Sequence, residues 1–160
     1  MGYDIVAYID ISQDAMEAII KDGSFDKTNW DDKEKIANAY KKQFLPDFPD
    51  DIGWVYYNYK HNDDYDYYMH ELCINYGGTN FIRDDPRLND VRYIKMLEEK
   101  VGQELPFILK NINYCLRTSE DAEEIARGIR LFFPNDLEFN QFANWCEKTA
   151  KICSTYELSY

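Results

Sequence analysis

Both histidines of the chain fall close together, one in His61-Asn62-Asp63-Asp64-Tyr65-Asp66 and the other in His70-Glu71, with Cys73 just beyond. Imidazole changes charge near neutral pH, and imidazole with carboxylate can share a proton or ligate a transition metal. Acid–base or metal chemistry would therefore be sought here, with His61, Asp66, His70 and Glu71 as the catalytic candidates. A helix starting near Asp64 would set Asp66 and His70 four apart on one face. The structural alternative is that the aspartates cap a helix and the imidazoles are ordinary surface or partly buried side chains. A zinc-protease helix is excluded because Ile74 stands where His-Glu-x-x-His needs its second histidine. An EF-hand is excluded because no turn glycine and closing glutamate follow the aspartates. No metal site and no cofactor are expected.

A second constellation is Gly77-Gly78-Thr79-Asn80 ahead of Arg83 and Arg87. Glycines allow close backbone approach, and two guanidinium groups can grip a phosphate or carboxylate, so Gly77, Gly78, Arg83 and Arg87 are candidate anion ligands. No P-loop lysine follows them, and Asp84 and Asp85 can neutralise the arginines internally. A third is the aromatic tract Trp54, Tyr56, Tyr57, Tyr59, Tyr65, Tyr67, Tyr68 and Tyr76. Base-stacking proteins interleave such rings with cations, whereas here the interleaved charges are mainly aspartates, which favours a half-buried strand packing on tyrosine. Nucleophilic catalysis has no Gly-x-Ser-x-Gly elbow to use. Cys73, Cys115, Cys146 and Cys153 form no Cys-x-x-Cys pair and read as reduced core residues.

The elements that would position these groups follow from hydrophobic period and punctuation. Tyr3 to Ile11 alternates as a strand. Ser12 caps a helix carrying Ala15, Met16, Ile19 and Ile20 and stopping at Gly23, and Asn29 caps a second with Trp30, Ile36, Ala37, Tyr40 and Phe44 on its buried face. Pro46 to Asp51 is a loop, and Trp54 to Lys60 a second strand. Asp63, Asp64 and Asp66 then start a helix with Met69, Leu72, Cys73 and Tyr76 on one face, ending at Gly77-Gly78; a strand turning at those glycines is the alternative.

Further on, Asn89 caps a helix with a Val91, Ile94, Leu97 and Val101 stripe, and Pro106 opens one with Ile108, Ile112, Cys115 and Leu116. Ser119 caps a helix from Ala122 to Phe133, which has acidic residues at its positive end. Pro134 breaks it, Asn135 or Asp136 restarts it, and Phe142, Trp145, Cys146, Thr149, Ile152, Cys153 and Tyr156 mark the last stripe, with Ser154 to Tyr160 open as an edge strand. The expectation is an α+β fold, mainly helical, with about six to seven helices and a small sheet of two to three strands. No repeat or linker divides it, so residues 1 to 160 are expected to form one globular domain.

Thirty acidic against eighteen basic residues leave a formal charge of −12. That sign opposes phosphate attraction and an anionic lipid surface, so neither direct nucleic-acid nor membrane binding is expected, whereas a partner with a basic surface suits it. The lysines and arginines are scattered among aspartates and offer no uninterrupted basic face. At 45% apolar and 16% aromatic residues the chain can build a core, so disorder is not expected. No apolar run reaches bilayer length, the first residues lack signal-peptide regions, and Val6 breaks the myristoylation pattern that would use Gly2, which together imply a cytoplasmic location.

The opening Met1-Gly2-Tyr3-Asp4-Ile5-Val6-Ala7-Tyr8-Ile9-Asp10, with the richness in Asn, Asp, Lys, Ile and Tyr, resembles small uncharacterised proteins of giant, nucleocytoplasmic large DNA viruses. The resemblance implies a host-cytoplasm or virion location and a non-enzymatic role, and it carries no catalytic residue. The leading expectation is thus an acidic interaction protein without catalysis, an accessory or virion protein if viral. The alternative is a metal- or acid-base-dependent enzyme using the His61 to Glu71 segment.

Overall fold

The computed structural model describes residues 3–49, 51–64 and 66–159; Gly2 of the myristoylation reading, Asp50 of the proline loop, Tyr65 of the aromatic tract and Tyr160 of the last strand lie outside them. The order is β1 (Asp4–Ile9), α1 (Gln13–Gly23), α2 (Trp30–Phe44), β2 (Val55–Asn62), β3 (Tyr67–Tyr76), α3 (Asn80–Arg83), α4 (Pro86–Asn89), α5 (Val91–Val101), α6 (Phe107–Lys110), α7 (Ile112–Cys115), α8 (Ser119–Phe132), α9 (Leu137–Thr149) and β4 (Cys153–Ser159). The fold is α+β, and the strands form one sheet in the order β2-β3-β1-β4. Nine helices and four strands among the described residues replace the expected six to seven and two to three. Much of the excess is single turns: α3, α4, α6 and α7 have four residues each.

The largest correction concerns the segment after His61, which takes the strand alternative rather than the expected helix. β3 pairs antiparallel with β2 in the register Val55↔Ile74, Tyr57↔Leu72, Tyr59↔His70 and His61↔Tyr68. Asp66 takes a left-handed φ of 50° at the connecting turn, a conformation aspartate tolerates by hydrogen-bonding its own backbone. Cross-strand ring contacts then outweigh the three-and-four spacing: Tyr59 stacks on Tyr68 at 4.9 Å and 12°, and on His70 at 5.2 Å.

Chain contacts cluster into two compact units, the first Tyr8–Asn75. In it the Ser12 side chain caps α1 by accepting from Ala15 N, and Asn29 caps α2 by accepting from Asp32 N. Met16, Ile19, Ile20, Ile36, Ala37, Tyr40, Val55, Tyr57 and Leu72 are buried. Trp30 and Phe44, expected on the buried face of α2, are instead 68% and 42% exposed.

The second unit holds the residues up to Ala7 and those from Tyr76 onward. Its core is α8 against α9, where Ile125, Ala126, Ile129, Phe132, Phe139, Phe142, Ala143 and Cys146 are all buried. The cap of α8 is Thr118, one residue before the expected Ser119, in a reciprocal capping box with Asp121. Asp90, not Asn89, caps α5, and the expected α5 stripe leaves no residue fully buried. After Thr149 the last helix ends, and the terminal segment is β4, the strand option for that stretch. Among the described residues no helix is long and apolar enough to cross a membrane.

Candidate functional site

The Tyr8–Asn75 unit builds its polar centre around His70. Gln13 and Glu17 sit one turn apart on α1 and therefore share a face. The Gln13 amide grips the strand backbone, donating from Nε2 to His70 O at 2.8 Å and accepting from His70 N at 2.8 Å. Glu17 takes the ring: its Oε1 lies 2.6 Å from His70 Nε2. On the other side Tyr57 Oη lies 2.6 Å from His70 Nδ1. An Nε2–H tautomer satisfies all three groups, with the Tyr57 hydroxyl donating to Nδ1 and Nε2 donating to the carboxylate. His70 is 3% exposed and Tyr57 2%, so the chain runs from a buried phenol outward to Glu17, whose side chain is 57% exposed. The hydrogen bond from His70 holds the Glu17 carboxyl below its ordinary value, while burial pushes the Tyr57 hydroxyl up. Such a chain can store a proton and orient an imidazole.

A pocket of about 260 Å³ opens in the same unit, lined by Trp30, Lys33, Glu34, Trp54, Tyr56, Tyr57, Asn58 and Asn75. Its geometry follows from two periodicities. Trp30, Lys33 and Glu34 fall on one face of α2 at the three-and-four spacing, and Trp54, Tyr56 and Asn58 alternate onto one side of the β2 segment. Trp54 stacks on Tyr56 at 5.3 Å and 29°, and Trp30 meets Trp54 at 5.8 Å and 43°. The Tyr56 hydroxyl donates to Asn75 Oδ1 at 2.8 Å, fixing the ring, and its own ionisation is opposed chiefly by burial. Both indoles stay largely open to solvent, Trp54 at 55%.

No family model, curated protein or solved structure matches this chain. Its chemistry is therefore read from its own residues.

The other predicted residues go elsewhere. His61 and Asp66 do meet, Nε2 to Oδ1 at 3.1 Å, but across the hairpin turn, and Nδ1 takes Asp63 at 2.8 Å. Those carboxylates are more than nine-tenths exposed. His70 finds its carboxylate in Glu17 rather than in Asp66. Glu71, next to His70 on a strand, projects to the opposite face, where Cys73 Sγ lies 3.9 Å from its Oε2. Among the described residues no three His, Cys, Asp or Glu side chains gather into a set able to hold a metal.

In the second unit three of the four anion candidates, Gly78, Arg83 and Arg87, already carry anions of the chain itself. Gly78 N donates to Asp4 Oδ1 at 3.1 Å, Arg83 pairs with Asp84, and Arg87 bridges Asp85 and Asp136 at 2.7 and 2.6 Å. Sequence reasoning missed Gln13, Glu17 and the exposure of Trp30. The available signal was weak: two polar residues four apart on α1, and a tryptophan in a first turn beside Asp31 and Asp32.

Proposed function

We propose that this chain is an acidic interaction protein without catalysis, and that its Tyr8–Asn75 unit docks a partner with a basic surface. The carrying observation is that two exposed tryptophans rim a pocket in the more acidic unit. That unit holds fifteen aspartates and glutamates against seven lysines, a formal charge of −8 out of −12. Aromatic anchors beside a field of one sign are what an interface uses for affinity and for steering, respectively. Arg83, Arg87 and Arg92 are paired with neighbouring aspartates, which supports the expectation of no direct nucleic-acid binding. The resemblance to giant-virus proteins adds a host cytoplasm or a virion as the setting and an accessory role.

Titration of the full chain with a lysine-rich peptide, and separately with duplex DNA, tests this at roughly 0.05 and 0.15 M salt, a range over which screening tightens. The expected result is saturable peptide binding that weakens as salt rises, with no DNA binding at the higher salt. No peptide binding, or DNA binding that persists, contradicts the reading.

The acid–base alternative has the Tyr57–His70–Glu17 chain in its favour. Only Glu17 of the three reaches solvent, so Glu17→Gln would abolish such chemistry and leave peptide binding unchanged.

A further inference from the structure

We propose that the Trp30, Trp54 and Tyr56 pocket receives a methylated ammonium group, carried by a methylated lysine side chain of the docked partner. This deepens the docking reading and rests on it for the source of the ligand.

Three aromatic residues line the pocket, Trp54 stacked on Tyr56 and tilted against Trp30, and a ring face is the negative pole of the aromatic quadrupole. A bare ammonium is strongly hydrated and surrenders that water only for several good acceptors. Here the polar lining is Glu34, Lys33, Asn58 and Asn75, and Asn75 Oδ1 already accepts from Tyr56. Methyl groups remove that demand, because they spread the same charge over an apolar shell that packs on indole and phenol faces. The volume of about 260 Å³ suits one side-chain head rather than an extended ligand. The formal charges of Lys33 and Glu34 in the lining cancel, so attraction for a cation comes from the rings at short range and from the −8 unit at long range. Cations already choose ring faces within this unit: Lys27 Nζ lies 4.3 Å from the Tyr59 centroid, and Lys41 Nζ 4.5 Å from that of Phe48.

The test follows tryptophan fluorescence of the full chain during titration with two pairs of probes. The first pair is choline and 3,3-dimethylbutanol, which share a shape and differ in charge. The second is one lysine-rich peptide with and without a trimethylated lysine. The expected result is choline binding at least about tenfold tighter than the alcohol and a similar preference for the methylated peptide. Trp54→Ala, followed through Trp30, abolishes both preferences, while Trp54→Phe restores part of them in a chain whose circular dichroism is unchanged. Equal binding of choline and the alcohol, equal binding of the two peptides, or a preference that survives Trp54→Ala overturns the inference. Failure here with salt-dependent peptide binding intact leaves the docking reading standing; failure of both peptides to bind removes the docking reading itself.

Discussion

The indole of Trp30 lies 5.8 Å from that of Trp54, although one opens helix α2 and the other precedes strand β2. Both are mostly exposed, so the pair is not assembled by core burial alone. Large aromatic side chains left at a surface beside a pocket are the feature on which the proposed docking rests. The buried His70 chain lies in the same unit and holds strand β3 to helix α1.

Breaking that chain from the inside should cost more than breaking it from the outside. Tyr57→Phe leaves His70 Nδ1 buried without its donor and is expected to destabilise by about 1 to 3 kcal/mol. His70→Ala should cost at least as much, through the stranded phenol and the lost packing. Glu17→Gln keeps an acceptor at a solvent-exposed position and should cost under about 1 kcal/mol. Urea denaturation of the three variants checks the order.

The same residues set a pH signature. The Glu17 carboxyl is held below its ordinary 4.5 by the His70 hydrogen bond, so its contribution is present above that value and is lost as pH falls through the folded value. The stability gap between the natural chain and Glu17→Gln should therefore shrink between about pH 5 and pH 3. At the alkaline end Tyr57 acts in the opposite sense. Burial raises its hydroxyl above the ordinary 10.0, so the unfolded chain ionises first and stability falls as pH climbs past that value. Tyr57→Phe should flatten the alkaline fall. Stability measured across pH shows both.

Gly128→Ala sets packing against helix propensity. Alanine favours a helix interior over glycine by about 1 kcal/mol. A methyl at position 128 would, however, stand 2.8 Å from Leu109 Cδ1, and Leu109 is itself 1% exposed. Overpacking of this kind costs about 1 to 3 kcal/mol, so the substitution should lower the melting temperature rather than raise it. A thermal scan decides the sign.

Thiol labelling of the native protein should separate one cysteine from three. Cys73, Cys146 and Cys153 are buried, Cys115 is partly exposed, and none of the four is in a disulfide. Rapid reaction of a single thiol, with the rest released on unfolding, is the expected result. Cys146→Ala should cost about 1 to 2 kcal/mol through the small cavity it leaves.

Much of this architecture is legible in residue spacing, and the exceptions have physical causes. Helices α1, α2 and α8 announce themselves through caps and apolar period, because both signals are local. The stretch from Tyr67 to Tyr76 does not, since its apolar residues fit two periods and its pairing with β2 is decided across a turn at Asp66. For the site, the sequence singles out His61, Asp66 and His70 but pairs Asp66 with His70 on a helix, where the structure has a strand and Asp66 meets His61 instead. It does not reveal Glu17 or Gln13, whose role arises only when α1 folds back over β3. Trp54 and Tyr56 stand in a visible aromatic tract, whereas Trp30 reads as core until α2 is seen to leave it open.

The most direct measurement of the docking claim is a backbone and indole amide NMR spectrum of the full chain recorded while a lysine-rich peptide is added. The account predicts saturable shifts of the Trp30 and Trp54 indole N–H signals and of the Asn58 and Asn75 side-chain amides, while the indole of buried Trp145 stays in place. Shifts confined to the acidic N-terminal half of α8 around Glu120, Glu123 and Glu124, or no shifts at all, would contradict it.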